Sequence, residues 1–151
     1  MRVIAAISTL LVAVSAAPLE QRAAASEMDI TNFSANTAPH GDGAYISFDI
    51  AVPDASSTRC SYSDQTSVSQ LPSVSMRPCD DPAFQWQFRQ DPSQPGTEGQ
   101  YRVVVTYADG SGSRVGGYHE WPATDFPEES FGSTTETFYR GEPSFVITNL
   151  S

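Results

Sequence analysis

The sequence predicts an all-β fold, an antiparallel β-sandwich or β-barrel of about eight strands in a single domain with one disulfide. Three segments alternate apolar and polar residues with the period of two that a strand with one buried face produces. Clusters of turn-forming residues separate the segments, at 40–43, 53–54, 80–82, 91–96, 109–112 and 140–143. No window repeats apolar residues at helical spacing, and 11 Pro and 10 Gly interrupt the chain. These properties indicate a chain that is nearly all β.

The three clearest strands supply the predicted core. The first covers 44–52, the second 83–89 and the third 101–107. In each of them every second residue is aliphatic or aromatic, which places one face of the strand in the interior. The predicted core residues are Ile46, Phe48, Ile50, Phe84, Trp86, Phe88, Val103 and Val105.

Five shorter segments complete the predicted set of strands. They cover 28–35, 58–63, 114–121, 134–140 and 144–150. Residues 109–113 are expected to form the hairpin turn between the third clear strand and the strand at 114–121. The Ser- and Gln-rich stretch 63–74 is expected to be a long loop, and 128–131 a single turn of helix.

The beginning of the chain has the pattern of a secretory signal peptide. Arg2 precedes an apolar run that closes with small residues, and residues 1–16 are the predicted signal. The run is too short for the roughly 20 residues that cross a bilayer, so no membrane insertion is expected. We expect residues 17–25 to be a short pro-segment or a flexible N-terminus, with Arg22 as a possible processing site, and 26–151 to be the secreted β-rich domain.

The charge of the chain disfavours two classes of partner. Without the predicted signal the chain has 7 Arg and no Lys against 18 Asp and Glu, a net charge of 7 − 18 = −11. The arginines are scattered singly along the sequence. A basic patch for phosphate contacts is therefore not expected, and neither nucleic acid nor an anionic membrane is an expected partner.

Two cysteines, Cys60 and Cys79, are expected to form a structural disulfide. An even cysteine count in an exported chain favours a bridge. Closing a loop of roughly 20 residues is worth on the order of 3 kcal/mol. The spacing does not fit a redox dithiol, and no further cysteine or paired histidine completes a zinc site.

No residue pattern points to a catalytic centre. The two histidines are His40, in a predicted turn, and His119, in a predicted strand, and no G-x-S-x-G sequence provides a nucleophile on a sharp turn. The adjacent acids at 80–81 and 128–129 would point to opposite sides of a strand. We therefore expect no catalytic residue, no cofactor and no enzymatic activity.

Metal binding is not expected either. Residues 109–113 match a D-x-S-x-S metal motif, but they lie in a predicted hairpin tip and not at the end of a strand of an α/β sheet. Calcium held by Asp80, Asp81 or Asp91 is the remaining alternative.

Three aromatic residues form a candidate ligand contact. Trp86 is assigned to the core, and Trp121 to core or rim packing. The alternative for Trp121, which ends a predicted strand before Pro122, is an exposed sugar-stacking platform with Tyr118 and Phe126.

Two sequences have the form of N-glycosylation sites. Asn32 is followed by Phe and Ser within a predicted strand, and Asn149 is followed by Leu and Ser. Asn32 is the candidate glycosylation site.

Several of these features together resemble small secreted fungal proteins. They are residues 16–22, Phe33, the Pro39-His40 pair, the strand 45–50, the two cysteines and the Phe84-Gln85-Trp86 sequence. The chain resembles the Alternaria major allergen family and the fungal elicitors of the plant hypersensitive response. The resemblance implies a β-rich, often barrel-like fold without enzymatic activity, and it supplies no catalytic residues. The allergen family commonly has two disulfides, so a one-disulfide relative of the elicitors fits this chain better.

The resemblance and the predicted export together favour one function. We expect a secreted effector or elicitor that induces plant defence or hypersensitive cell death through non-catalytic recognition by an unknown plant extracellular or membrane receptor. The alternative is a carbohydrate-binding or wall-associated module whose partner is a cell-wall polysaccharide.

Overall fold

A computed structural model describes residues 25–39, 42–90 and 101–151 of the chain. The predicted signal peptide 1–16, nearly all of the predicted pro-segment 17–25, and the residues His40 and Asp91 lie outside this part. In the described part there is no α-helix, and the all-β prediction is confirmed.

The strands form two four-stranded antiparallel sheets and one hairpin. Their bounds are β1 Met28–Thr37, β2 Ala44–Val52, β3 Ser56–Asp64, β4 Val74–Pro78, β5 Phe84–Gln90, β6 Tyr101–Ala108, β7 Arg114–Trp121, β8 Glu128–Phe131, β9 Thr134–Thr137 and β10 Phe145–Ile147. The first sheet has the order β10-β1-β2-β3, the second has the order β4-β5-β6-β7, and β8 pairs with β9. One 3-10 turn, Ala123–Asp125, follows β7.

The core lies between the two sheets and contains all eight predicted core residues. Each of them is at most 1% exposed. The rings of Phe48 from the first sheet and Trp86 from the second lie 5.2 Å apart and nearly perpendicular, an arrangement that aromatic pairs favour. The strict alternation of β2, β5 and β6 therefore has a simple physical origin, because one face of each strand is in the interior.

A disulfide closes one side of the sandwich. Cys60 lies in β3 and Cys79 directly follows β4, and both are buried. Their Cα atoms are 4.3 Å apart across the bridge, which confirms the predicted pairing. The Asp80 amide also donates a hydrogen bond of 2.9 Å to the carbonyl of Arg59. The edge strands β3 and β4 are thus joined by the disulfide and by a backbone hydrogen bond.

The C-terminal segment closes the opposite side. β10 pairs with β1 in the first sheet, with Ile147 opposite Met28. Four residues later, Ser151 exchanges backbone hydrogen bonds of 3.0 and 3.1 Å with Gly116 of β7, in the second sheet. A Cβ at Gly117 would lie 2.6 Å from Ile147 Cγ2, so a larger residue would force the crossing segment to shift. The sandwich is therefore bridged on both sides.

The sequence prediction missed two strands. Residues 74–78, at and after the end of the predicted loop, form β4, and a bulge between Val74 and Arg77 breaks the alternation that would have indicated a strand. Residues 128–131 form β8, and the predicted helical turn there is wrong. This short strand pairs only with β9 and has no buried residue, so it shows no apolar period.

Candidate functional site

Trp121 and Phe126 are buried, and the hypothesis that they form an exposed sugar-stacking platform is wrong. Trp121 is 3% exposed and Phe126 is 4% exposed. The turn after β7 folds Phe126 onto Tyr101, with ring centroids 4.0 Å apart. The Trp121 indole N–H donates a hydrogen bond of 3.0 Å to the Tyr139 hydroxyl, and its ring lies 4.7 Å from that of Phe33. Both residues therefore belong to an aromatic cluster within the core, as the packing interpretation of Trp121 predicts.

His119 adds its ring to the same aromatic cluster. The imidazole stacks on Phe145 at 4.1 Å and contacts Trp121 at 4.8 Å. Loss of solvent lowers the pKa of His119, and the charges of Asp125 and Glu120 oppose this by raising it. The imidazole is therefore held as a neutral packing group more readily than it would be in water.

Tyr118 is the one member of the predicted ligand contact that is exposed. It is 45% exposed, on the outer surface of the second sheet. The Arg102 guanidinium lies 4.9 Å from the centre of its ring, within the range of a cation–π interaction. Arg102 Nε also donates a hydrogen bond of 2.7 Å to Glu120 Oε1 on the neighbouring strand. These contacts hold the guanidinium across the tyrosine ring.

The second sheet brings separate arginines together on this surface. Arg89 lies directly opposite Arg102 in the β5–β6 register, whereas Arg114 pairs with Ala108 at the far end of β6 and donates to the Thr106 hydroxyl at 2.7 Å. Alternation along the three strands directs all these side chains away from the core. We call the surface around Arg89 and Arg102 the arginine face and define it by Arg89, Arg102, Tyr118 and Glu120.

The arginine face differs in charge from the rest of the molecule. It has two arginines and one carboxylate, while the whole chain has a formal net charge of −10. Arg89 and Arg102, which are separate in the sequence, are therefore neighbours in the folded protein. Cross-strand register brings together residues that are 13 to 18 positions apart in the sequence.

The acidic residues mostly organise turns. Asp81 accepts hydrogen bonds from the Ala83 amide and from the Ser56 hydroxyl, and Asp109 accepts the Ser111 amide at the predicted hairpin tip. Glu129 pairs with Arg140 at 2.9 Å. Within 25–39, 42–90 and 101–151, no group of three or more His, Cys, Asp or Glu is placed to hold a metal ion.

Asp64 organises the loop after β3. Tyr62, Thr66 and Ser67 donate hydrogen bonds to its carboxylate. Desolvation by itself would raise the pKa of Asp64, but these bonds favour the ionised form and lower the pKa to about 2. The start of the predicted long loop is therefore ordered by one carboxylate.

Asn32 is exposed on the outer surface of the first sheet. It lies in a bulge of β1, where the register shifts between Thr31 and Ser34, and its φ is 54°. Its side-chain nitrogen donates a hydrogen bond of 2.9 Å to Asp49 Oδ2. Asn149 is exposed as well, and its side-chain oxygen accepts the Tyr118 amide at 3.0 Å.

Comparison with known proteins adds no family to these observations. No protein-family model matches the chain, and no curated protein matches it. The resemblance to the allergen family and to the elicitors stays a prediction. No helix in the described ranges has the length and hydropathy to cross a membrane.

Proposed function

We propose that this chain is a secreted effector or elicitor that induces plant defence by surface recognition, without turning over a substrate. The signal-peptide pattern and the resemblance to secreted elicitors support export. The Cys60–Cys79 bridge is consistent with an oxidising compartment. The proposed partner is a plant receptor at the cell surface.

The arginine face is the observation that carries this proposal. It lies on a four-stranded sheet whose two sides are bridged to the opposite sheet, so its side chains are presented on a rigid support. Tyr and Arg are the residue types most enriched at the energetic centres of protein interfaces. A recognition surface built on strands needs no catalytic group.

Leaf infiltration with purified protein tests the proposal. The native protein is compared at equal dose with an Arg89→Ala/Arg102→Ala variant and with Arg59→Ala, a matched control on the outer surface of the first sheet. We expect defence responses to the native protein and the control, and a strong loss with the double variant. No response to native protein in several plant species would refute elicitation, and equal responses to all three would exclude the arginine face.

A second function is favoured by the composition of the arginine face. An acidic polysaccharide presents a sugar ring and a carboxylate on each uronic acid residue. Tyr118 is 45% exposed although Arg102 lies over one face of its ring, and the guanidinium of Arg89 beside it matches a carboxylate in charge and geometry. We therefore propose a polymer of uronic acid, and not a neutral glucan or chitin, as the wall ligand under this alternative.

Co-sedimentation separates the two kinds of polysaccharide. The protein is mixed with insoluble de-esterified polyuronate, cellulose or chitin, and the bound fraction is measured at low and high salt. We expect binding to the polyuronate alone, weakened by salt, by Arg102→Gln and by Tyr118→Ala, but not by Arg59→Gln. Equal binding to all polymers, or no effect of Arg102→Gln, would refute this alternative.

A further inference from the structure

The two glycosylation sequences of the chain occupy different structural environments. We propose that Asn32 is the residue that receives an N-linked oligosaccharide, and that Asn149 remains unmodified. The inference rests on export, which is part of the proposed function, because N-glycosylation takes place in the secretory pathway. It does not depend on which receptor or polysaccharide the protein recognises.

The bulge in β1 makes Asn32 available although it lies within a strand. Asn32 and Phe33 together face a single residue, Phe48, on the neighbouring strand. The extra residue in the bulge places the Phe33 side chain in the core, where it is 3% exposed. The Phe33 amide donates a hydrogen bond of 2.9 Å to the carbonyl of Pro143. Asn32 takes the left-handed conformation, which asparagine tolerates better than most residues, and its side chain faces solvent.

The hydrogen bond of Asn32 is compatible with glycosylation. In the reaction the amide nitrogen Nδ2 forms a bond to the anomeric carbon of an oligosaccharide carried on a lipid pyrophosphate. The lipid pyrophosphate leaves, and the amide gives up one proton. The product keeps one N–H on Nδ2, which can still donate to Asp49, whose side chain is 34% exposed. The folded protein therefore accommodates the modification without losing this contact.

Asn149 is also exposed, but it lies in the segment that closes the sandwich. Its side-chain oxygen accepts the Tyr118 amide, and the same oxygen would be 2.8 Å from a Cβ at Gly117. Two residues later Ser151 pairs with Gly116. An oligosaccharide on this amide would be placed beside the β7 backbone, where the C-terminal segment must dock.

A glycan on Asn32 would give the two outer surfaces of the sandwich different roles. It would extend over the polar surface of the first sheet, where Ser34, Ser47 and Arg59 lie. The arginine face is on the opposite side of the core and would remain open. The modification and the proposed recognition surface are thus mutually compatible.

The test uses the full chain, secreted from a eukaryotic host and examined by intact mass and peptide mapping with and without peptide N-glycosidase. Ser34→Ala removes the glycosylation sequence and leaves Asn32 in place, and Ser34→Thr is its matched control because threonine also satisfies the sequence. Asn32→Gln and Asn149→Gln complete the set. Far-UV circular dichroism of each variant checks that the β-fold is retained.

We expect the oligosaccharide mass on native protein, Ser34→Thr and Asn149→Gln, and its loss in Asn32→Gln and Ser34→Ala. Secreted protein with an unmodified Asn32, or a mass shift that disappears only in Asn149→Gln, would overturn the inference and leave export intact. Retention of an unmodified chain inside the cell would overturn both export and glycosylation.

Discussion

Removal of the Cys60–Cys79 bridge should cost the protein a large part of its stability. The sequence separation of 19 residues corresponds to about 3 kcal/mol of loop-closure entropy at 25 °C. Both cysteines are also buried, so a Cys60→Ala/Cys79→Ala variant loses some packing in addition. We expect the free energy of unfolding to fall by about 3 to 4 kcal/mol in total.

Urea unfolding of native protein, the double alanine variant and Ser61→Ala measures this loss. Ser61 is the exposed neighbour of Cys60, so its substitution should change the unfolding free energy by less than about 0.5 kcal/mol. Thermal unfolding of the double variant should begin roughly 10 °C lower. A loss below about 1 kcal/mol would refute the reasoning. The backbone bond between Asp80 and Arg59 would then be sufficient to hold this side closed.

Three further substitutions probe the packing and the pH dependence. Gly117→Ala should lower the unfolding free energy by about 1 to 3 kcal/mol, because the new methyl group would collide with Ile147, and hydrogen exchange should show a less protected Ser151 amide. The lowered pKa of Asp64 means that its contribution to stability is complete above its ordinary value of 3.8 and is lost as the pH falls through about 2. Urea unfolding should therefore show Asp64→Asn less stable than native protein at pH 6 and closer to it near pH 2. The lowered pKa of His119 means that the folded state binds this proton less readily, so stability is lost as the pH falls below 6.5. His119→Phe should reduce the slope of the unfolding free energy against pH in that range. An unchanged slope would contradict the lowered pKa of His119.

The sequence predicted the fold where one side of a strand is fully buried. In β2, β5 and β6 the alternation is strict because Phe48, Trp86 and Val105 face a continuous core. The prediction from the sequence failed in β4, where a bulge interrupts the alternation of apolar and polar residues, and in β8, where both faces of the strand are exposed. These two segments are strands because they pair with β5 and β9, and the residues within each segment do not indicate that pairing.

The candidate site was less predictable because it depends on contacts between distant segments. Pro122 after Trp121 suggested an exposed strand end, but Phe33 and Tyr139 come from far along the chain to cover the ring. The arginine face depends on the register between strands. Once 84–90, 101–108 and 114–121 are paired as consecutive hairpins, the outward positions of Arg89 and Arg102 follow from alternation. A search of the predicted outer surfaces for charge could therefore have found it.

The bridges on the two sides of the sandwich also determine how other chains can approach it. An open edge strand presents unpaired N–H and C=O groups, which template pairing with a strand from another molecule. Here the β3 and β4 edges are joined through Cys60 and Cys79, and the β7 edge is partly covered by the segment that ends at Ser151. Strand addition at the β3, β4 and β7 edges is therefore disfavoured, which favours binding through the side chains of an outer surface. Reduction of the disulfide would release the β3 and β4 edges from each other and make the protein more prone to self-association.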